Sequence, residues 1–363
     1  MATHFHSLRV KDIQPETAAC ISVAFEIPPH LKNVFAFTQG QNITVKATID
    51  GEELRRSYSV CSSPHDNELR IAVKKVTGGK FSSWMVKHLQ PGSSIEVLPP
   101  SGQFFTELNA LHKKNYVAFA AGSGITPILS IIKTTLLTEP HSSFTLFYGN
   151  KNRSSIIFKE KLEAIKNTYI NRLSIHHILS REKTESPLNQ GRIDAEKCAA
   201  IFQHVINLES CDEFFLCGPE AMIVAVKDFL ENHGVDKKKI HFELFTVPGK
   251  KNNAAGAGIS DTETALSSKL STVTVKLDGI AFDFTLPYNG AAILDAALAQ
   301  GADVPYACKG GVCATCRAKL TSGEVMMDTN YALEPEEIAN GFILTCQSHP
   351  RTEKVSVDFD QRS

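Results

Sequence analysis

The stretch Pro305-Tyr-Ala-Cys-Lys-Gly-Gly-Val-Cys-Ala-Thr-Cys316 carries three thiols on one short loop, Cys308, Cys313 and Cys316, with 29 residues separating the last from Cys346. Gaps of four and two residues followed by a distant fourth cysteine are the ligand spacing of a [2Fe-2S] cluster. Three thiolates on one loop must wrap two irons, so the backbone has to bend tightly between them, and Gly310 and Gly311 supply that freedom. The small residues Ala307, Ala314 and Thr315 let backbone amides point at sulfur, where they stabilise the charge added on reduction. Cys346 ends the apolar run Phe342-Ile-Leu-Thr-Cys346, which reads as a strand delivering the fourth ligand. A structural zinc site takes two matched cysteine pairs, so the lone fourth cysteine and the four-residue gap argue against it.

Upstream of this loop, Val273 and Val275 alternate, Asp278-Gly279 reads as a hairpin turn, and Phe282 and Phe284 alternate again. Ala291 to Ala299 reads as a helix that stops at Gly301. A hairpin, a helix and a cluster loop make a small α+β domain. Before it, residues 249–268 are rich in Gly, Ala, Ser and Asn, lack a sustained apolar period, and read as a flexible linker.

Residues 1 to about 105 have a different rhythm, with short alternating segments punctuated by Pro28-Pro29, Gly40, Asp50-Gly51, Pro64, Gly78-Gly79, Pro91-Gly92 and Pro99-Pro100; this predicts an antiparallel β-barrel or sandwich. From about 113, the apolar stretches 116–121, 144–148, 173–179 and 214–217 alternate with helical stretches at Ile128 to Leu137, Ile157 to Lys166 and Glu220 to Asn232. That alternation predicts an α/β domain with a parallel sheet. The expected division is thus a barrel at 1–108, an α/β domain at 109–246, a linker at 247–269 and an α+β domain at 270–363.

The chain has 363 residues, 42% hydrophobic and 21% charged, with a net charge of -1, which gives no support to a nucleic-acid partner. From residue 270 onward, 7 Lys/Arg face 12 Asp/Glu. An acidic cluster domain on a mildly basic remainder could steer a redox partner, and an ordinary solvated surface reads the same. No basic-then-apolar leader and no run of about 18 apolar residues is present, so neither secretion nor a membrane span is expected. Cys20, Cys61, Cys198, Cys211 and Cys217 show no disulfide framework spacing, which fits a reducing cytoplasmic setting.

Motifs in the first 245 residues are similar, in order, to those of the ferredoxin-NADP reductase superfamily. Arg56-Ser57-Tyr58-Ser59 resembles its flavin motif, which implies an arginine on the FAD diphosphate and contact of Tyr58 and Ser59 with the isoalloxazine ring. A guanidinium forking onto phosphate oxygens and an aromatic ring on a flavin are sound chemistry in themselves. Gly78-Gly79-Lys80-Phe81-Ser82-Ser83-Trp84 is similar to the second flavin-phosphate segment, where glycines at a helix start expose amides to a diphosphate. Lys74, just before it, is a further cofactor-binding candidate whose alternative is a solvent-facing lysine on an edge strand. Ala121-Gly122-Ser123-Gly124-Ile125-Thr126-Pro127 follows an apolar strand and opens a helix, a place for a pyrophosphate. It resembles the family's NAD(P)H motif, and Cys217-Gly218-Pro219 resembles the second nicotinamide-side motif. Cys217 reads equally as a residue near the hydride path and as a buried structural thiol. The catalytic candidates are Tyr58, Ser59 and Cys217.

Ser180-Arg181 stands where NADPH users of the family place such a pair, and Arg153 follows the preceding strand. NADPH is therefore expected in preference to NADH. Phe242-Glu-Leu-Phe245 is either a plain final strand or the terminal segment that reaches back toward the flavin. A reductase followed by a ferredoxin module resembles the reductase subunits of bacterial aromatic and steroid oxygenases, and the tail 323–350 is most similar to a branch serving di-iron oxygenases. The resemblance implies FAD, a plant-type [2Fe-2S] cluster and NADPH as cofactors, and an oxygenase component as electron acceptor. A reductase for a ketosteroid hydroxylase or Rieske oxygenase, and a redox sensor without sustained turnover, carry the same motifs.

Overall fold

The computed structural model describes residues 4–245 and 269–361. His6–Phe245 forms one compact unit, and the described residues from 269 onward form the body of a second. The expected linker lies almost wholly outside the described residues.

The first unit begins with six antiparallel strands in the order β4-β3-β6-β1-β2-β5. They are β1 (His6–Thr17), β2 (Cys20–Glu26), β3 (Asn42–Ile49), β4 (Glu52–Ser59), β5 (Leu69–Lys74) and β6 (Ser94–Val97). A bridge between Val60, just past the end of β4, and Ile71 within β5 links the two edge strands and closes the sheet toward a barrel. Leu8, Val10, Val23, Phe25, Ile43, Val45, Ile71 and Val97 fill its interior. Asp50 and Gly51 both take positive φ, which matches the right-handed twist of the β3–β4 hairpin. Helix α1 (Lys80–His88) lies against β3 and β5.

Five parallel strands follow, β7 (Asn115–Ala121), β8 (Ser143–Asn150), β9 (Leu173–Leu179), β10 (Glu213–Gly218) and β11 (Ile240–Leu244), in the order β11-β10-β7-β8-β9. Helices α2 (Ile125–Thr138), α3 (Lys159–Thr168), α4 (Ala195–His204) and α5 (Glu220–Asn232) connect them. The core behind this sheet joins Tyr116, Phe144, Leu146 and Tyr148 to Ile125, Ile128 and Ile132 of α2, and takes in Cys20, Cys61 and Ala72 from the barrel. This shared core is why barrel and α/β sheet form a single unit.

Two helices depart from the sequence reading. The one expected from Ile157 starts at Lys159, because Phe158 takes a φ of +61° that no helix interior accepts. Helix α4 is additional; its start signal is Asp194, whose carboxylate accepts from Lys197 N at 2.9 Å.

In the second unit, β12 (Leu270–Leu277), β13 (Ile280–Pro287), β14 (Arg317–Ser322), β16 (Phe342–Leu344) and β18 (Lys354–Asp358) form a mixed sheet in the order β13-β12-β18-β14-β16. β15 (Val325–Met327) pairs with β17 (Ser348–Pro350). Asp278 and Gly279 turn the first hairpin with φ of +56° and +75°, and both amides donate to the Asp360 carboxylate. Helix α6 (Ile293–Ala299) buries Ile293, Leu294 and Ala297 against Val273, Val275, Phe284 and Leu286, giving the β-grasp arrangement. A short helix α7 (Pro335–Ala339) precedes β16.

Candidate functional site

The parallel sheet reverses direction at β7: the chain moves outward through β8 and β9, then returns to the other side through β10 and β11. Connections leaving the carboxyl ends of β7 and β10 therefore diverge, opening the crevice in which sheets of this kind hold ligands. The sequence places Gly122-Ser123-Gly124 after β7 and Gly218-Pro219 at the end of β10. A Cβ on Gly124 would overlap the Cys217 carbonyl and stand 2.9 Å from Gly218 N, so the two motifs pack backbone to backbone. A Cβ on Gly218 would lie 2.7 Å from Met222 Cε and 3.1 Å from Ala121 Cβ. Gly122 is left-handed at φ +55°, and its carbonyl accepts from the Tyr148 hydroxyl at 2.9 Å, a brace that no sequence motif announces. Thr126 Oγ1 donates to Ser123 O at 3.0 Å, shaping the turn, while Pro127 is buried in the first turn of α2. Pro219 caps α5.

Lys74, the last residue of β5, is half-buried rather than solvent-facing. Its Nζ lies 3.0 Å from the Cβ position of Gly122. Burial lowers the affinity of this amine for its proton, and Lys151 adds to the effect. A half-buried amine held over a glycine turn is chemistry suited to a phosphate.

On β4, alternate residues share a face. Lys80 Nζ meets Glu52 Oε2 at 3.0 Å, and the Tyr58 and Phe81 rings stack at 6.3 Å and 30°. Arg56 lies between Glu52 and Tyr58 on that same face, exposed, its Nη1 donating to Arg55 O at 2.7 Å. The helix has Gly79 at its N-cap and no side-chain cap, so its first amides are available to an anion. Ser82 Oγ is spent on Val76 N at 3.1 Å, Ser83 N on Gly79 O at 3.2 Å, and Lys80 on Glu52 and Asp50. Ser57 faces the other way, 3.2 Å from Thr44 Oγ1. Burial pushes the Tyr58 phenol well above its usual range, so the ring is neutral. An exposed guanidinium, an uncapped helix start and a neutral aromatic platform fit a flavin dinucleotide.

Ser59 joins this wall to the parallel sheet: its Oγ donates to Glu243 Oε2 at 2.9 Å. Glu243 stands on β11, in parallel register with Cys217 on β10. Cys217 is fully buried, and burial followed by the Glu243 charge pushes its thiol far above the ordinary value. It is a neutral thiol, unsuited to act as a thiolate nucleophile.

At the ends of β8 and β9, Ser180 N and Arg181 N donate to Asn150 O and Lys151 O at 2.9 and 2.8 Å. Arg153 is already engaged, its Nε 3.1 Å from Glu182 Oε1 and its amide 2.8 Å from Glu182 Oε2. Arg181 is exposed and makes no ion pair among the described residues.

In the second unit, Cys308 is in side-chain contact with Cys313 and Cys346, and Cys346 with Cys316. The four thiols thus form one continuous group. Among the described residues, no three of the His, Cys, Asp or Glu side chains surround a single ion position. A dinuclear cluster asks instead for two thiolates per iron. Gly310 N points at Cys308 Sγ at 3.3 Å, and Thr315 Oγ1 lies 3.2 Å from Cys313 Sγ. Lys309, Gly311 and Ala314 supply the left-handed bends, at φ of +51°, +75° and +52°, whereas Gly310 does not. Cys346 sits in the turn after β16 rather than in the strand, which leaves its backbone free of the ladder. The site fits a [2Fe-2S] cluster.

Three family models match in chain order: an oxidoreductase FAD-binding domain over residues 8–106, an oxidoreductase NAD-binding domain over 119–228, and a 2Fe-2S iron-sulfur cluster binding domain over 275–351. The chain belongs to the ferredoxin-NADP reductase superfamily, in the branch of FAD- and NAD(P)H-dependent oxidoreductases that carry a C-terminal 2Fe-2S module. Among its relatives, a subunit of the 1,2-phenylacetyl-CoA epoxidase of Escherichia coli (strain K12) is 44% identical over 99% of both chains. The ferredoxin reductase component of 3-ketosteroid-9-alpha-monooxygenase from Rhodococcus rhodochrous is 34% identical over 97% of this chain and 96% of its own. Phthalate dioxygenase reductase shares the fold, with a TM-score of 0.58 at 23% identity over 98% of both chains. No helix among the described residues is long and apolar enough to cross a membrane.

Proposed function

We propose that the chain is the reductase of a multicomponent oxygenase, taking hydride from NADPH and delivering single electrons to a di-iron oxygenase that epoxidises the aromatic ring of phenylacetyl-CoA. The observation that carries the reductase reading is the meeting of Ser59, Glu243 and Cys217 at the sheet's switch point. The choice of acceptor is supported by the full-length likeness to the epoxidase component. FAD is assigned to residues 1–108, NADPH to 109–246 and the cluster to 270–363, joined by 247–269.

When bound, FAD converts a two-electron hydride into single electrons and the cluster carries them singly, so no acid-base or nucleophilic residue set is required. Arg56 and the amides at the start of α1 hold the flavin diphosphate, with Gly79, Phe81, Ser82 and Ser83 shaping the turn. Tyr58 packs on the ring system. Ser59 and Glu243 set the polarity where flavin and nicotinamide meet, and neutral Cys217 closes the floor beneath them. Gly122, Gly124 and Gly218 let the pyrophosphate approach backbone, and Lys74 supplies its countercharge. Arg181, with Ser180 and less so Arg153, selects the 2′-phosphate. The four cysteines hold the cluster. The cytoplasm, where NADPH and CoA thioesters are found, is the proposed compartment.

A second reading, service to a 3-ketosteroid hydroxylase, draws on the 34% relative. Purified oxygenase components decide between them. With NADPH, this chain should support epoxidation of phenylacetyl-CoA by the other components of the epoxidase; turnover with the ketosteroid system alone would reverse the assignment.

A further inference from the structure

The amide of Gln347 makes contacts that the four-cysteine pattern does not foresee. Its Nε2 lies 3.4 Å from Cys346 Sγ, 2.7 Å from Cys346 O and 3.3 Å from Lys309 O. Its Oε1 accepts from Thr329 Oγ1 at 2.7 Å. The amide's orientation follows from this set: the side turned to the cysteine meets three acceptors, so the nitrogen belongs there and the oxygen faces the hydroxyl.

We propose that Gln347 is a positioning residue for the iron-sulfur centre, clamping the cysteine loop to the fourth ligand and donating to the Cys346 sulfur, and that it thereby raises the cluster's reduction potential. The inference rests on the cluster assignment above. Reduction adds one electron, and part of that charge falls on the cysteine sulfurs. A donor aimed at one of them stabilises the reduced state more than the oxidised one. Gly310 N and Thr315 Oγ1 stand beside Cys308 and Cys313 from within the loop. Gln347 is the counterpart beside Cys346, and it reaches across to the carbonyl of Lys309 as well.

A second segment fixes the clamp. A Cβ on Gly311 would stand 3.0 Å from Thr329 O, 3.2 Å from Thr329 Oγ1 and 3.3 Å from Gln347 Cγ. Tyr331 N donates to Gly311 O at 3.0 Å and Asp328 N to Gln347 O at 2.9 Å. Residues 328–331 thus press on the cluster loop and on Gln347 together, so Thr329 sets the amide without touching a sulfur.

The test uses the full chain as wild type, Gln347→Leu, Gln347→Glu and Thr329→Val. Iron and sulfide content are measured first, then the midpoint potential by anaerobic dye-equilibrated titration read by electron paramagnetic resonance. Two irons per chain are expected throughout. The potential should shift to more negative values in Gln347→Leu, further in Gln347→Glu, and in the same direction but less in Thr329→Val. Unchanged potentials in variants that keep two irons would overturn the proposal. Should Gln347→Leu fail to hold its cluster, the other two variants carry the same comparison. Wild-type protein without iron would instead sink the cluster assignment itself.

Discussion

Ser59 Oγ and Glu243 Oε2, 184 positions apart in the chain, are joined by a 2.9 Å hydrogen bond that ties the end of β4 to β11. The bond places a hydroxyl and a carboxylate at one point beside Cys217. A hydrogen bond to a charged group contributes roughly 1.5–3 kcal/mol, so Ser59→Ala should slow NADPH-driven flavin reduction by about 10- to 100-fold. Glu243→Gln should cost less after Ser59→Ala than alone, with a coupling of about 0.5–3 kcal/mol. Stopped-flow bleaching of the flavin band in the four proteins checks this; strict additivity would separate the two residues.

Gly124 has no room for a side chain against the Cys217 carbonyl. Overpacking typically costs about 1–3 kcal/mol, so Gly124→Ala should lower the thermal midpoint and weaken NADP+ binding together. Calorimetric melting and fluorescence-detected titration measure both. Unaltered nucleotide binding would mean that the pyrophosphate lies elsewhere.

Arg181 and Arg153 predict unequal effects. Arg181 has no ion-pair partner among the described residues, whereas Arg153 is held by Glu182 at 3.1 Å. Loss of a charge-assisted contact to the 2′-phosphate should reduce kcat/KM for NADPH by roughly 10- to 100-fold in Arg181→Ala, with NADH little affected and Arg153→Ala intermediate. Steady-state kinetics with both nucleotides gives the ratio, and an unchanged ratio in Arg181→Ala would remove this residue from cofactor selection.

Glu139 is buried, yet its carboxylate sits among donors: Ser142 Oγ at 2.7 Å, Tyr116 OH at 2.9 Å and Asn109 N at 3.0 Å, with His112 Nδ1 at 2.8 Å. Burial alone would raise its pKa, but these hydrogen bonds hold it below the usual carboxylate value. A folded pKa below the unfolded one gives stability that is complete above the ordinary carboxylate range and is lost as pH falls through it toward the folded value. Glu139→Gln should therefore destabilise by about 1–3 kcal/mol at neutral pH, with the gap narrowing in acid. Urea unfolding at several pH values tests it; a gap that widens in acid would contradict the sign.

Legibility differs by element. Three modules in order, the hairpin turn at Asp278-Gly279 and the grouping of the four cysteines are written in local signals: alternation, glycine pairs and spacing. Glu243 belongs to a final segment that the sequence leaves with two readings, because its meeting with Ser59 depends on the parallel register of β11 on β10, which no short window contains. Tyr148 reads as an ordinary buried strand residue, and its hydroxyl contact with Gly122 arises from packing across β7 and β8. Helix α4 is faint in the sequence because its apolar face is narrow, with Cys198 and Ile201 its buried residues. Lys80 stands in the expected flavin-phosphate segment, yet the acids of the β3–β4 hairpin hold it, a competition that no motif records.

In the proposed function one chain passes electrons from NADPH through a flavin to the four-cysteine cluster. Freeze-quench electron paramagnetic resonance after anaerobic mixing with NADPH tests it most directly, on wild type, on Cys346→Ser and on protein stripped of flavin. A reduced-cluster signal is expected in wild type alone, with Cys346→Ser still bleaching its flavin. A cluster that stays oxidised while the flavin bleaches in wild type, or one reduced equally fast without flavin, would contradict it.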